Sequence, residues 1–311
     1  MKRLVSGILD LWIFSIPRPK NDSIAWPASQ RLFNIPIALV SIVDEDRQWF
    51  KSSTGLDARQ TPRDISFCGH AILGDEIFIV NDTATDSRFS DNPLVLDNPN
   101  IRFYAGCPLT SLNGYRIGTM CLIDRKPRGV LKEDQTILKD LAAMVEREIE
   151  LTKLANNDEL TGIPNRRGFK VLAEKSLMLC KRKHLPASIV YFDVDKFKRI
   201  NDDHGHAEGD RTLSLIANNM ESVARDSDVI ARLGGDEFAI MFSDTSKESA
   251  EHVVKRFEES MEKSCKQEAL SYQINLSHGI VEYNPKVHSS IGDLLNDGDK
   301  LMYAQKQKHS A

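Results

Sequence analysis

The sequence is poor in cysteine and has no apolar run long enough to cross a membrane. Its 311 residues include five cysteines, an odd number, and no two of them have CxxC spacing. This argues against a disulfide framework and a structural zinc site, and we expect a protein of the reducing cytoplasm. The apolar stretch at residues 4–16 is interrupted by Asp10 and is too short to span a bilayer. We predict an amphipathic or core-packing helix there, with membrane association as the alternative.

Positive charge is not in excess either. The net charge is -4, whereas a general nucleic-acid binder usually needs a basic surface, so we expect no nucleic-acid partner. Hydrophobic residues make up 41% of the chain and charged residues 28%, which is ordinary for a soluble globular protein. The chain is long for a single hydrophobic core, and two domains are expected.

The stretch RLGGDEFAIMF at residues 232–242 places two glycines and two carboxylates between strand-like segments. Because Gly234 and Gly235 can adopt a positive φ, we predict a tight hairpin with Asp236 and Glu237 at its exposed tip. Bare backbone at the glycines would let a large anionic ligand approach, and the carboxylates could hold the Mg²⁺ that accompanies it. A solvated acidic turn is the alternative.

A second pair of carboxylates ends the apolar segment at residues 188–195. Asp193 and Asp195 are two residues apart, so the alternation of a strand places both on the same face. Such a pair is a weak metal signal on its own, since Asp commonly ends strands.

The residues that follow predict a helix that starts at these carboxylates, is interrupted by glycines and restarts at Asp210. Lysines near a helix N-terminus suit a phosphate group. Asn201 and Asp210 offer an amide and a carboxylate that can read the hydrogen-bonding edge of guanine. The alternative role for Asp210 is an N-cap.

The first half of the chain predicts an α+β domain of antiparallel strands with helices at the ends. Strands are expected at residues 36–43, 48–51, 77–80, 103–109 and 115–123, with a short helix at 66–73 and a long loop at 82–99. Residues 131–154 contain no Gly or Pro, and their apolar residues fall at three- and four-residue steps, which predicts one amphipathic helix. Its stripe could pack on the preceding sheet or form a two-stranded coiled coil that passes on a ligand state.

The first half resembles a GAF domain, a small-ligand sensor module. The resemblance rests on the segments PIALVSIVD (36–44), FCGHA (67–71), DSRF (86–89), IRFYAG (101–106) and GTMCLID (118–124). It implies a small ligand without naming it. His70 could ligate a metal or haem iron, or be a hydrogen-bonded core residue. The prolines within residues 12–30 depart from the helix with which such domains usually begin.

Residues 155–308 resemble a GGDEF domain, the catalytic domain of diguanylate cyclases. The matching motifs are DELT (158–161), NRR (165–167), DVDKFK (193–198), ND (201–202), GHAEGD (205–210), RLGGDEF (232–238) and Tyr303 with Lys306. The resemblance implies an α/β or α+β central sheet flanked by helices, related to adenylyl cyclase and polymerase palm domains. We predict an N-terminal segment (1–24), a GAF domain (25–130), a helical linker (131–157) and a GGDEF domain (158–311).

The resemblance also implies a metal site. Asp193 and Asp236, with the backbone carbonyl of Val194, would bind Mg²⁺ or Mn²⁺, and Glu237 would bind a second metal ion. Asp236 would accept the proton of the attacking hydroxyl. Metal ions that bridge phosphate oxygens stabilise the charge that develops in such a displacement.

The remaining site residues follow in the same way. Asn201 and Asp210 would recognise guanine, while Lys198 and Lys306 would contact the GTP phosphates. The 3′-hydroxyl of one GTP would attack the α-phosphate of another, twice, giving cyclic di-GMP and pyrophosphate. Because one domain binds one GTP, the active form would be a homodimer.

Arg225 and Asp228 stand at the register of the family's RxxD site, at which cyclic di-GMP binds and inhibits; a solvated surface pair is the alternative. Two departures from the family pattern are Gly298 and Gln305, where Ala is usual. The usual Gly-Arg after Lys306 is absent, so we expect a phosphate contact to be lost. No second catalytic domain follows, and we expect no phosphodiesterase activity.

A GAF-regulated diguanylate cyclase is therefore the leading hypothesis. The competing hypothesis from another class is a non-catalytic receptor for GTP or cyclic di-GMP, although such domains normally lose the carboxylates retained here. Another GTP-dependent nucleotidyl transferase is a third, weaker alternative.

Overall fold

A computed structural model describes residues 31–111 and 113–310 of the chain. The helix expected at residues 4–16 and the rest of the segment 1–24 lie outside these residues. The chain divides into two compact units, one ending at Thr152 and the other beginning at Lys153. No helix within the described residues is long and apolar enough to cross a membrane.

The first unit is built on one antiparallel sheet of six strands, in the order β3-β2-β1-β6-β5-β4. The strands are β1 (Ile37–Val43), β2 (Arg47–Thr54), β3 (Gln60–Pro62), β4 (Phe78–Val80), β5 (Phe103–Thr110) and β6 (Arg116–Asp124). The helices are α1 (Phe67–Ala71), α2 (Pro93–Leu96) and α3 (Lys132–Asn156), which runs to the end of the unit and beyond it. The predicted strands and the predicted α+β class are confirmed.

Helix α3 shows which of the two expected roles its apolar stripe takes in the single chain. Leu138, Val145 and Ile149 belong to the stripe and are buried. These stripe residues therefore pack within the single chain, and the coiled coil between two chains stays a prediction. A different set of apolar side chains on this helix, Met144 and Leu151 among them, is exposed.

The second unit is built on a four-stranded antiparallel sheet in the order β10-β7-β9-β8. Its strands are β7 (Ala187–Val194), β8 (Val229–Gly234), β9 (Glu237–Ser243) and β10 (Leu276–Glu282). Its helices are α4 (Arg166–Lys183), α5 (Phe197–His204), α6 (His206–Val223), α7 (Lys247–Gln267) and α8 (Ile291–Ser310). The two central strands, β7 and β9, are buried on both faces because α4 and α8 pack on one side and α6 and α7 on the other.

The break between α5 and α6 lies earlier than predicted. Helix α6 begins at His206, and its N-cap is Gly205, whose φ of 89° is accessible to glycine at little cost. Asp210 is therefore inside the helix, so both the predicted restart at this residue and the alternative N-cap role are wrong. A single left-handed glycine is sufficient to separate the two helices.

Candidate active site

The β8–β9 hairpin forms one side of the candidate site. The register pairs Gly234 with Glu237, so the turn consists of Gly235 and Asp236. A register shift between Arg232 and Gly234 bends β8 just before the turn. Arg232 then holds the turn, donating from Nε and Nη2 to the carbonyl oxygen of Gly235 at 2.9 and 2.7 Å.

This turn differs from the expectation in two respects. Neither Gly234 nor Gly235 has a φ in the left-handed region, and the bulge before the turn supplies the additional local twist. Asp236 and Glu237 are half-buried, whereas the two glycines form the exposed tip. A Cβ added at Gly235 would meet no atom within 4 Å, so the bare backbone there is open to a ligand.

Strand β7 brings its terminal carboxylate to this hairpin. Asp193 lies directly across the sheet from Glu237, and the backbone N–H of Val194 donates to the carbonyl oxygen of Asp236 at 3.1 Å. The sheet thus brings Asp193, Asp236 and Glu237 to the same end of the central strands, with the carboxylates of Asp193 and Asp236 close enough to interact. Asp195 follows the strand, and its carboxylate accepts a hydrogen bond from Ser277 at 2.7 Å.

The charges at this edge act on one another. Burial raises the pKa of Asp193, and the neighbouring carboxylates of Asp236 and Asp195 raise it further, against the opposing effect of Lys306. Lys306, on α8, is paired with Asp193. Burial lowers the pKa of this ammonium group, but the hydrogen bond and the charge of Asp193, with those of Asp195 and Asp236, outweigh burial and raise it. The edge therefore has a negative field that one lysine only partly neutralises.

Glu237 is held by two groups from neighbouring elements. Arg166, at the start of α4, donates to Glu237 Oε2 at 3.3 Å and to the carbonyl oxygen of Leu233 at 3.0 Å. The pKa of Tyr191 is raised by burial and by its hydrogen bond to Glu237. These contacts orient the carboxylate along the sheet edge.

Helices α5 and α6 carry Asn201 and Asp210, the polar residues that are expected to recognise guanine. A Cβ at Gly209 would lie 2.0 Å from Asn201 Oδ1, so a larger residue here would displace the Asn201 side chain. Asn201 is thereby brought beside the helix turn that carries Asp210, which is exposed. Lys198 is exposed on α5.

The donor set fits Mg²⁺ better than a metal held by protein alone. Within residues 31–111 and 113–310, no three His, Cys, Asp or Glu side chains form a ready metal cage. Mg²⁺ usually keeps several waters and is bound through one or two carboxylates together with substrate phosphates. Asp193 and Asp236 are hard oxygen donors that lie close enough for the charge of one to raise the pKa of the other.

The sequence did not predict the structural role of Asp158, which was known only as the first residue of the DELT motif. Arg232 Nη1 donates to both carboxylate oxygens of Asp158, at 2.9 and 3.1 Å. Burial opposes ionisation of Asp158, but hydrogen bonds from Thr161 and Arg232 outweigh it and lower its pKa. The DELT motif marks this position, but nothing in the sequence identifies Arg232 as the partner of Asp158.

Arg225 and Asp228 have different environments. The side chain of Arg225 is exposed, whereas Asp228 is 5% exposed. Asp228 accepts hydrogen bonds from the backbone N–H groups of Arg225 at 2.9 Å and Ser243 at 3.2 Å, and its pKa is raised by burial. The carboxylate therefore shapes the loop before β8, and the guanidinium is the part that faces solvent.

Gln305, one of the departures from the family pattern, has a structural role. Its Oε1 accepts a hydrogen bond from the backbone N–H of His278 on the edge strand β10 at 2.5 Å. An Ala at this position could not accept that bond. The substitution ties α8, and with it Lys306, to the sheet.

Comparison with known proteins identifies both halves of the chain. The family described as "Diguanylate cyclase, GGDEF domain" matches residues 155–311, and the GAF domain family matches residues 12–149. A cyclic di-GMP phosphodiesterase of Pseudomonas aeruginosa is 50% identical over 141 residues, covering 45% of this chain and 24% of that protein. Diguanylate cyclase A of Treponema denticola is 32% identical over 174 residues, covering 55% of this chain and 47% of that protein.

Among solved structures, the GGDEF domain of TpbB from Pseudomonas aeruginosa is 33% identical and matches with a TM-score of 0.44, covering 49% of this chain and 89% of that one. The chain spans less than half the length of either curated relative described above. The family matches confirm the two resemblances on which the expectations were based. The chain belongs to the GGDEF domain family, with a GAF domain at residues 12–149 and the GGDEF domain at residues 155–311.

Proposed function

We propose that this chain is a diguanylate cyclase that condenses two GTP molecules into cyclic di-GMP with release of pyrophosphate. The observation that carries the proposal is the position of Asp193, Asp236 and Glu237 at the same end of the central strands β7 and β9, where the carboxylates of Asp193 and Asp236 interact. A non-catalytic receptor for GTP or cyclic di-GMP would have no need for these two interacting carboxylates. Their mutual repulsion is tolerated because Lys306 partly offsets it.

Each residue then has a definite role. Asp193, Asp236 and the carbonyl of Val194 would hold one Mg²⁺, or Mn²⁺, and Glu237 would hold a second. When bound, these ions stabilise the charge on the phosphate oxygens and lower the pKa of the attacking hydroxyl. Asp236 takes the proton of that 3′-hydroxyl as it attacks the α-phosphate, and pyrophosphate leaves.

The GTP substrate is held by four further residues. Asn201 and Asp210 accept and donate along the edge of guanine, and Lys198 and Lys306 contact the phosphates. Lys306 is paired with Asp193 in this chain. Arrival of the triphosphate therefore exchanges one anionic partner of Lys306 for another, and frees Asp193 for the metal.

Two such sites must face each other, because each domain holds one GTP. Helix α3 exposes Met144, Leu151 and Leu154, whose exposed fractions are 57%, 67% and 54%. Their spacing of seven and three residues places them on one side of the helix. We assign this apolar side of α3 to the homodimer contact, and the GAF domain to its regulation by a small ligand.

The direct test is product formation. Purified full-length chain incubated with GTP and Mg²⁺ is expected to yield cyclic di-GMP and pyrophosphate, measured by chromatography with mass spectrometry. A parallel incubation with cyclic di-GMP alone is expected to leave it intact. Binding of GTP without turnover would favour the receptor, a different nucleotide product would favour another transferase, and hydrolysis of cyclic di-GMP would favour the activity named for the Pseudomonas aeruginosa relative.

Product inhibition is expected to depend on the exposed guanidinium of Arg225. The Arg225→Ala variant should retain its initial rate and lose most of its inhibition by added cyclic di-GMP, because a bidentate donor to phosphate or guanine is removed. We expect the inhibition constant to rise about 10-fold or more, corresponding to roughly 1.4 kcal/mol. The exposed Arg199→Ala is the matched control. Inhibition of Arg225→Ala as strong as that of the parent would disprove the assignment.

A further inference from the structure

Two thiols lie in contact in the core of the GAF domain. Cys68 is in α1 and Cys121 is in β6, and their Sγ atoms are 3.9 Å apart. Both side chains are buried, with exposed fractions of 2% and 0%. They are separated by 53 residues in sequence, so the fold alone brings them together. Neither has a part in the proposed cyclase reaction.

The two sulfurs have different neighbours, and the pKa values of the two thiols shift in opposite directions. Tyr104 donates from its hydroxyl to Cys68 Sγ at 3.4 Å, and Cys121 Sγ is a second neighbour of that sulfur, at 3.9 Å. Burial alone would raise the pKa of Cys68, but hydrogen bonds from neighbours that include Cys121 and Tyr104 outweigh it and lower that pKa. The hydrogen bond to Cys68 and burial raise the pKa of Cys121. Cys68 is therefore the sulfur with thiolate character.

A cavity gives small molecules access to one sulfur only. It has a volume of about 230 Å³, and its walls include Cys68, Tyr104, Gln48 and Arg125. Since one water occupies roughly 30 Å³, the cavity has room for a molecule of peroxide size. Cys121 is not part of its wall. A reactant in the cavity would therefore reach Cys68 before Cys121.

We propose that Cys68 and Cys121 are a peroxide-sensitive dithiol that closes to a reversible disulfide. The Cys68 thiolate attacks one oxygen of hydrogen peroxide, the O–O bond breaks and a sulfenic acid forms, while the other oxygen leaves as hydroxide and becomes water by taking up the proton that the Cys68 thiol released. Cys121 sulfur then attacks Cys68 sulfur and displaces its hydroxyl as a second water. In sum, two thiols and one hydrogen peroxide give one disulfide and two waters.

Closure requires the two sulfurs to approach to about 2.05 Å. Cys121 is held in β6, which is paired on both sides, with β1 and β5. Cys68 is in the five-residue helix α1 at the wall of the cavity. The helix is therefore the part that moves, and oxidation changes the shape of the cavity. This gives the GAF domain a chemical input that does not require a bound ligand.

The test follows the thiols of the full-length chain. After treatment with hydrogen peroxide, the denatured protein is alkylated and its mass and peptides are measured. We expect the five alkylatable thiols to fall to three, one cross-linked peptide to contain Cys68 and Cys121, and dithiothreitol to restore all five. Five thiols after treatment, a cross-link between other cysteines, or oxidation of Cys68 that dithiothreitol does not reverse would each overturn the proposal.

Single variants separate this pair from general oxidation. Cys107 provides the matched control, because it is also a buried cysteine of the GAF domain. It lies opposite Met120 of β6 in the strand register, so its side chain is on the other face of the sheet from Cys121. Cys107→Ala should still lose two thiols to peroxide, whereas Cys68→Ala and Cys121→Ala should lose none to a disulfide. Thermal unfolding checks that each variant is folded, and if one is not, the peptide map of the parent decides. A disulfide in folded Cys68→Ala would refute the pairing.

Discussion

Replacing Asp236 by alanine is expected to abolish formation of cyclic di-GMP while leaving the fold intact. The proposed role of this carboxylate is to hold the metal and to take the proton of the attacking hydroxyl. Removing such stabilisation is worth several kcal/mol, and about 1.4 kcal/mol is tenfold in rate, so we expect turnover to fall on the order of 10³-fold or more. The measurement is the initial rate of product formation with saturating GTP and Mg²⁺.

The structure explains why stability should survive this change. The backbone carbonyl of Asp236 accepts a hydrogen bond from the backbone N–H of Val194, and this hydrogen bond does not require the Asp236 side chain. Its carboxylate also raises the pKa of Asp193, so its loss relieves a repulsion. We expect the unfolding free energy to change by less than about 0.5 kcal/mol. Asp236→Asn, which keeps the shape and removes the charge, should be equally inactive, and Glu259→Ala on the exposed side of α7 should behave like the parent. Turnover near the parental rate in Asp236→Ala would refute the site.

The parts of this site that follow from local patterns could be predicted from the sequence. Asp193 ends an apolar strand, and the hairpin around Asp236 has strands on both sides, so the register of adjacent strands places them together. The position of Gly205 shows the limit of such patterns. Turn-forming residues cluster from Gly205 to Asp210, and nothing local shows that one left-handed glycine is enough to restart the helix at His206.

Contacts between residues that are distant in sequence could not be predicted from the sequence. Arg232 and Asp158 are separated by 74 residues, and Cys68 and Cys121 by 53, so no local periodicity relates them. The same holds for the glycine turn at the hairpin tip. A positive φ is the usual requirement of a two-residue turn, but the bulge before Gly234 depends on how β8 pairs with β9.

The second large effect is expected from breaking the ion pair between Asp158 and Arg232. Its side chains are 23% and 14% exposed, so breaking the pair leaves a charge that water reaches poorly. Arg232 also holds the carbonyl of Gly235, next to Asp236 in the turn. We expect Asp158→Ala to lower the unfolding free energy by about 1–3 kcal/mol and kcat by about 10- to 100-fold, through a displaced hairpin. Urea denaturation and steady-state kinetics measure the two effects.

A double-mutant cycle separates the pair from its individual residues. Asp158→Ala, Arg232→Ala and the double variant should give a coupling energy of about 1–2 kcal/mol. The Arg199–Asp203 pair in the same domain is the control, because its side chains are 75% and 52% exposed and such pairs contribute only about 0.3–0.5 kcal/mol. Additive effects of Asp158→Ala and Arg232→Ala would show that the ion pair does not hold the hairpin.

The dependence of stability on pH tests this prediction independently, because the direction of the pKa shift of Asp158 fixes the direction of the effect. The folded chain lowers the pKa of Asp158, so the stabilisation is complete above the unfolded-state pKa of about 4 and is lost as the pH falls through the lower, folded-state value. The stability advantage of the parent over Asp158→Ala should therefore be constant near neutral pH and shrink in acid. A difference that persists unchanged below the folded-state pKa would mean that the ionised carboxylate is not its source.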